Sequence, residues 1–304
     1  MRRQRGIALL VTVLAVALAV VLVAALVQRG ATAQARTLVS LRAEQTWQLQ
    51  RGLELFAARI LREDAARSGA VDHHGEPWAQ PMPPIEVPGA RIGGRLRDLG
   101  GCLNLNALGQ EPGGELARQR LQRLLRALGQ DPLLAEKLAD WIDADQDPRA
   151  GGAEDAAYRQ ARPPHRTANR PFAHVSELRL VIGIDAAAYE ALAPHVCALP
   201  ADHLINLNTA APALWMALDE RIGAGMAERL ARGGQARYGS IDAVGEELAR
   251  LGLSQVALSG VAVGTRYFVA EAEIDADGLP FLYSSLLRRD EDATRVLARV
   301  RGTY

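Results

Sequence analysis

Lysine is nearly missing from this chain: Lys137 is the single lysine among 35 basic side chains, so arginine carries the positive charge. The 35 basic residues meet 35 acidic ones. With a formal net charge of zero, the overall balance gives a polyanion no attraction. No glycine-rich phosphate loop is present, and no nucleophile with a histidine dyad, so nucleotide chemistry and covalent catalysis have no footing. Low-complexity runs and repeats of solenoid length are also missing. Cysteine occurs twice, at Cys102 and Cys197. The count alone allows one disulfide in an oxidising space or two free buried thiols.

What is present begins at the N-terminus. A basic hexapeptide ending in Gly6 meets an apolar run from Ile7 to Val27, in which Thr12 is the only polar residue. As a helix this run is roughly 30 Å long, enough to cross a bilayer core. Arg2, Arg3 and Arg5 hold the leading end on the cytoplasmic side and put the body outside. The flanks allow either a cut between Gly6 and Ile7 or a plain single-span anchor that is never cut.

Residues 31 to about 68 continue the helix, with Leu49, Leu53, Phe56 and Ile60 as its apolar stripe. From Gly69 to Pro88 the composition turns to Gly, His and Pro, which predicts an irregular connection with His73 and His74 as an exposed pair. Ala90 to Leu96 and Cys102 to Leu105 read as strands, with Asp98 to Gly101 as a hairpin turn between them. Helices follow. Leu121, Leu124, Leu125 and Leu128 face one core, and a helix opening at Asp131-Pro132 turns Leu134, Leu138 and Trp141 inward. His165 and His174 lie in a Pro- and Arg-rich connection as loop hydrogen-bonders, before a helix capped at Ser176.

Beyond Pro200, Ile205 to Ala210, a helix, a turn at Ile222 to Gly225 and a second helix resemble a helix-hairpin-helix unit. Such a unit can hold a DNA backbone, which makes a membrane-anchored DNA receptor the alternative function. Asp219, Glu220 and Glu228 near the turn would repel phosphate, so the pair reads as a packing unit and no nucleic acid is expected. The chain closes with three alternating strands, Arg266 to Ile274, Pro280 to Arg288 and Thr294 to Thr303, the first two joined by the Asp275 to Gly278 turn. The helical stripe is their natural cover.

The most informative chemistry lies at residues 140 to 155, DWIDADQDPRAGGAED, with six acids against one arginine. Carboxylates at this density repel unless a cation neutralises them. Counting Asp143 as the first residue of an EF-hand-like loop puts Asp145 third, Asp147 fifth, Arg149 seventh as a carbonyl donor and Glu154 twelfth. Pro148 stands where the sharp turn needs glycine, and no helix obviously follows Glu154, so a true EF-hand is not expected. All the candidate ligands are hard oxygens, which suits calcium on another backbone path. The competing reading is a solvated acidic loop.

Together these segments resemble the K-type minor pseudopilins of the bacterial type II secretion system, the general secretion pathway protein K family. The features that carry the resemblance are RRQRG-IALLVTVL, GGCLNLNAL, LADWIDADQDPRAGGAEDAAY, PPHRTANRPFAHVSELRLV, INLNTAAPAL and the closing YFVAEAEI and LLRRD strands. The resemblance implies an α+β pseudopilin fold, a long N-terminal transmembrane helix on a small antiparallel sheet, interrupted by a large α-helical insert with helix-hairpin-helix or SAM-like units. The expected divisions are a leader at 1–6, a membrane helix at 7–27, pseudopilin helix and first strands at 28–106, the insert at 107–260 and the last strands at 261–304.

The resemblance further implies cleavage after Gly6 by a prepilin peptidase and Ile7 as the methylated mature N-terminus. It places the chain in the inner membrane with its body in the periplasm, as a non-enzymatic cap of the pseudopilus tip with I-type and J-type partners. By motif, the calcium ligands are Asp143, Asp145, Glu154 and Asp155, then Asp140, Asp147 and Asn169. In a periplasmic body a disulfide between Cys102 and Cys197 is the expectation. Shaft pseudopilins are expected to carry a glutamate at the fifth mature position to neutralise a neighbour's N-terminal amine. Here that position is Val11, which suits a subunit with nothing stacked above it.

Overall fold

The structure, a computed structural model, describes residues 4–302 and 304, with 4–8 and 68 as backbone only. The leader residues Arg2 and Arg3 lie outside the described residues, while Gly6 and Ile7 fall in the first turns of helix α1.

In chain order the elements are α1 (Gln4–Ser68), β1 (Met82–Val87), β2 (Ala90–Asp98), β3 (Leu103–Asn104), α2 (Gly114–Ala127), α3 (Leu134–Ile142), α4 (Asp155–Tyr158), α5 (Ala186–Leu192), β4 (Val196–Cys197), β5 (Ile205–Asn206), α6 (Pro212–Leu218), α7 (Ala224–Ala231), α8 (Ile241–Arg250), β6 (Val261–Ala262), β7 (Tyr267–Ala276), β8 (Leu279–Arg289) and β9 (Thr294–Arg301). Short 3-10 turns link several of them.

Helix α1 runs unbroken for 65 residues, about 100 Å, because no proline interrupts it before Pro77. Its apolar window has a mean hydropathy of 3.2, and the side chains from Leu9 to Val27 face outward, as a membrane-spanning segment requires. The second half lies on a five-stranded sheet of order β1-β2-β7-β8-β9, antiparallel throughout. Asp277 and Gly278 both take positive φ (53° and 81°) in the two-residue turn that pairs Ala276 with Leu279.

The face that α1 lays on the sheet overlaps the apolar stripe only in part: Leu49, Leu53 and Ile60 pack at its edge. Ala57 and Leu61 pack with Trp78, Leu96, Phe268 and Leu287, and Trp78 meets Phe268 edge-on at 5.3 Å. Phe56 remains half exposed, and Leu53 and Ile60 sit at the margin. Between the apolar contacts runs a buried polar line. Thr46 Oγ1 lies 2.7 Å from Tyr283 Oη, Gln50 Nε2 donates to Ser285 Oγ at 2.7 Å, and Ser285 donates to Glu54 at 2.6 Å. Arg299 closes it with two bonds to Glu54, 2.7 and 2.8 Å. An apolar periodicity cannot register such a face, because half of its residues are polar.

Two strand assignments also change. Cys102 to Leu105 is no hairpin partner of β2; β3 pairs in parallel with β4. The hairpin partner of β2 is β1, within the stretch read as irregular, and the turn at Gly89 (φ 77°) joins them. Pro83 and Pro84 offer no N–H, so β1 is confined to the sheet edge. Gly100 and Gly101 form a close approach in place of a turn: an added Cβ would lie 2.7 Å from Thr265 and from Thr209 O respectively. The cap of the turn at Val175–Leu180 is His174, in place of Ser176.

The helical body between β2 and β7 has its own core, in which Leu121, Leu124, Leu125, Leu138 and Trp215 are fully buried. The β5–β6 pair and the Cys102–Cys197 disulfide (Cα–Cα 5.8 Å) tie its base. The disulfide lies with Tyr267, Val269 and Leu286 on the sheet face opposite α1.

For the full chain in detergent, Leu61→Ala is expected to lower unfolding free energy by about 2–5 kcal/mol, the range for a buried leucine, whereas Phe56→Ala should cost about 1 kcal/mol or less. Denaturant titration checks both; equal losses would place Phe56 in the core.

Candidate metal centre

The acidic loop is built from the end of α3 and two returning segments. Asp140, in the last turn of that helix, is fully buried. The helix stops at Asp143, whose ψ of 170° is extended while its N–H still bonds Ala139 O. The chain then doubles back through Gly151, at φ +86°, and Gly152, where a Cβ would lie 1.9 Å from Asp140 Oδ2. Only glycine allows this approach. The return delivers Glu154, 4% exposed, to the same place. A third segment arrives through Asn169, whose N–H bonds Trp141 O at 3.0 Å and whose φ is 46°.

Asp140, Asp143 and Glu154 each offer an oxygen within 4.8 Å of the others. Arg149 supplies one counter-charge: its Nη1 lies 2.6 Å from Asp140 Oδ1 and also pairs with Asp143. Asp143 Oδ1, both Glu154 carboxylate oxygens and Asn169 Oδ1 are buried without a hydrogen-bond partner. Buried oxygen acceptors short of donors are what a hard cation would satisfy. Burial first, then the charges of Asp143 and Asp140, push the Glu154 carboxyl up to about 7. Burial likewise raises Asp143, opposed by Arg149. The donor set therefore fits calcium.

Of the seven expected ligands, the structure brings together Asp140, Asp143 and Glu154, with Asn169 tied to the same turn through Trp141 O and Asp145 O. Asp145 and Asp147 are exposed; the Asp145 side chain accepts from Asp147 N at 2.9 Å, and its carbonyl accepts from Asn169 Nδ2 at 3.4 Å. Asp155 turns elsewhere, because Thr167 N and Oγ1 both donate to its Oδ1 at 3.0 Å and Arg159 lies 3.1 Å from Oδ2. A one-turn helix, α4, does follow Glu154, and Arg149 enters through its side chain. Sequence reading missed Gly152, for which the paired glycines of the loop are the signal.

The other sequence candidates have structural roles. His73 Nδ1 accepts from Gly75 N, His165 Nε2 lies 2.9 Å from Leu180 O, and His174 caps the turn it precedes. In the α6–α7 hairpin, hydrogen bonds from Arg221 hold the Asp219 carboxyl down at about 2, so the one arginine of the turn is already engaged.

Glu154 binds its proton more tightly when folded than at its ordinary value near 4.5. In chelator, stability should therefore fall as pH rises from about 5 to about 7 and level off above, with a slope of at most about 1.4 kcal/mol per pH unit. Glu154→Gln should remove that component, as thermal melts of both chains across this range would show. Parallel pH profiles would mean that Glu154 titrates normally.

Residues 101–201 match the family model of type II secretion system protein K. Type II secretion system protein K of Pseudomonas aeruginosa is 38% identical over 316 residues, covering 99% of this chain and 94% of that protein. The protein of the same description from Klebsiella pneumoniae is 40% identical over 220 residues, 69% of this chain and 68% of that one. Among solved structures, a chain of the GspK-GspI-GspJ complex from the enterotoxigenic Escherichia coli type 2 secretion system superposes with a TM-score of 0.76 at 29% identity, covering 88% of this chain and all of that one. A chain with this fold and this near-complete match belongs to the type II secretion system protein K family, the minor pseudopilins of the secretion pseudopilus.

Proposed function

We propose that this pseudopilin caps the tip of the pseudopilus, with calcium held in its acidic loop and with I-type and J-type pseudopilins as its partners. The observation that carries the capping role is where the helical body joins the rest. Its return strand meets the connection just past α1, with Asp72 N bonding Val263 O at 3.0 Å. The body therefore sits at the end of α1 farthest from the apolar segment. In a filament of parallel helices that end is the top, and a body of this size there blocks the next subunit.

The partners follow from the GspK-GspI-GspJ complex, whose similar chain is part of a three-protein assembly. The other processing and location features rest on the N-terminal pattern: cleavage after Gly6 by a prepilin peptidase, methylated Ile7, an inner-membrane span and a periplasmic body. Catalysis is not part of this reading. In the acidic loop Asp140, Asp143, Glu154 and Asn169 would hold calcium, which supplies the positive charge that their buried oxygens lack. This chain's own residues then fix the path of 143–154 against α3 and the segment at Asn169.

Calcium at a hundredfold excess over its Kd should stabilise the chain by about 2.7 kcal/mol, several degrees in melting temperature. The combined Asp143→Asn and Glu154→Gln change should remove the acidic loop's share of the effect. Identical melts in calcium and in chelator would remove the ion from this reading. For the cap, Val11→Glu should leave the subunit excluded from the shaft. Its recovery along filaments as abundantly as a major subunit would show that the body is no barrier.

A further inference from the structure

A second group of acids lies far from the acidic loop in sequence, where α1, the connection behind it and the end of β8 meet. Asp64, Asp72 and Glu76 are 1%, 0% and 5% exposed, and each offers an oxygen within 4.8 Å of the others. One guanidinium, that of Arg289, reaches two of them. Arg289 pairs with Asp72 Oδ2, donates to Thr265 O at 2.9 Å and lies over the Phe268 ring, while Asp64 Oδ2 is 3.4 Å away. Asp72 also accepts from Thr265 N at 2.8 Å. Glu76 Oε2 accepts from His73 N and from Trp78 Nε1, both at 2.8 Å.

These contacts leave a deficit at two residues. Asp64 Oδ1 and Asp72 Oδ1 are buried without a partner, and among the described residues the Asp64 side chain has one hydrogen bond, the long one to Arg289. Its environment is acidic: burial, then Glu76 and Asp72, push its carboxyl up to about 6. Asp98, 8% exposed, adds a further negative charge beside Asp72. Three buried carboxylates share these few donors, and Asp64 Oδ1 and Asp72 Oδ1 receive none of them.

We propose that Asp64, Asp72 and Glu76 form a divalent-cation site of the calcium class, distinct from the acidic loop and independent of whether that loop binds an ion. The donors are all hard carboxylate oxygens, as calcium prefers. A groove of about 860 Å³ lies beside the cluster, lined by Ala70, Gly264, Thr265 and Arg289; Thr265 and Arg289 are the residues that bond Asp72. The backbone is close-packed here, since a Cβ on Gly264 would lie 1.8 Å from Ala70 O. An ion at this point ties the last turns of α1 to the strand returning from the helical body.

Trp78, bonded to Glu76, and Trp141, beside Asp140, give the two sites separate optical reporters. The full chain in detergent, stripped with chelator, is titrated with calcium for stoichiometry and with terbium for tryptophan-sensitised emission. Asp64→Asn, which removes charge without volume, should lower the calcium count by one. Glu154→Gln should retain calcium binding and a terbium signal that Trp78→Phe then removes. An unchanged count in Asp64→Asn overturns the proposal. So does the loss of all binding in a Glu154→Gln chain that keeps its native circular dichroism, or a terbium signal indifferent to Trp78→Phe in that background. Should Asp64→Asn fail to fold, the Trp78 comparison decides alone. A count that falls with Asp64→Asn but not with Glu154→Gln supports this site and sinks the acidic-loop reading instead.

Discussion

The seating of α1 on the sheet is the contact on which the remaining architecture depends. A helix of this length without a proline is a rigid rod, so its register on the strands decides where its far end lies. Apolar contacts alone would fix that register loosely, because Ala57 and Leu61 could meet Phe268 and Leu287 after a slide of one turn at modest cost. The polar line is less forgiving. Shifting α1 by a turn would separate Glu54 from Ser285 and Arg299 and leave a buried carboxylate facing no donor, a loss of several kcal/mol in a low-dielectric site. Specificity of register is thus concentrated in the residues that contribute least hydrophobic burial.

The same physics, with the donors withheld, produces the two acidic centres. At Glu54 every charge meets a guanidinium or a hydroxyl. At Glu154 and at Asp64 the fold buries carboxylates and supplies one arginine for several acids, so both carboxyls are pushed up toward neutrality. Such sites lower the stability of the ion-free fold at neutral pH. A cation bound at either site would offset that cost. Both centres join segments distant in sequence, α3 to the Asn169 segment in one case and α1 to the strand leaving the helical body in the other, so an ion in either acts as a cross-link.

Much of this was legible in the sequence where a periodicity or a turn has one physical meaning. The apolar run after Gly6, the Asp277-Gly278 hairpin and the leucines of α2 state their positions directly. The acidic loop announced its chemistry through carboxylate density, but not which acids converge: Asp145 and Asp155 look as good on paper as Asp140, and only the approach at Gly152 and the pull of Thr167 sort them. The buried face of α1 was hidden because Thr46, Gln50 and Glu54 read as solvent-facing until their partners on β8 and β9 are known. β1 was hidden by Pro83 and Pro84, which disqualify a central strand but not an edge. Long-range partners of short polar residues are the information that a local pattern cannot hold.

The attachment of the helical body follows from the same close contacts. It leaves the sheet after Asp98 and rejoins it before Tyr267, strands that are hydrogen-bonded neighbours, so an excursion of this size enters and leaves the sheet through adjacent positions. Two crossings alone would make a hinge. Three features remove that freedom: Gly100, Gly101 and Gly264 bring backbones nearer than any side chain would allow, Asn206 bonds both Asp72 O and Asp98 Oδ2 at 3.1 Å, and the Cys102–Cys197 bridge pins the base to the sheet face opposite α1. A force on the body is therefore carried through covalent and buried polar links into the sheet, and through Glu54 into α1. In the proposed capping position this stiffness would be needed, whereas a body on a flexible stalk would yield before the filament moved.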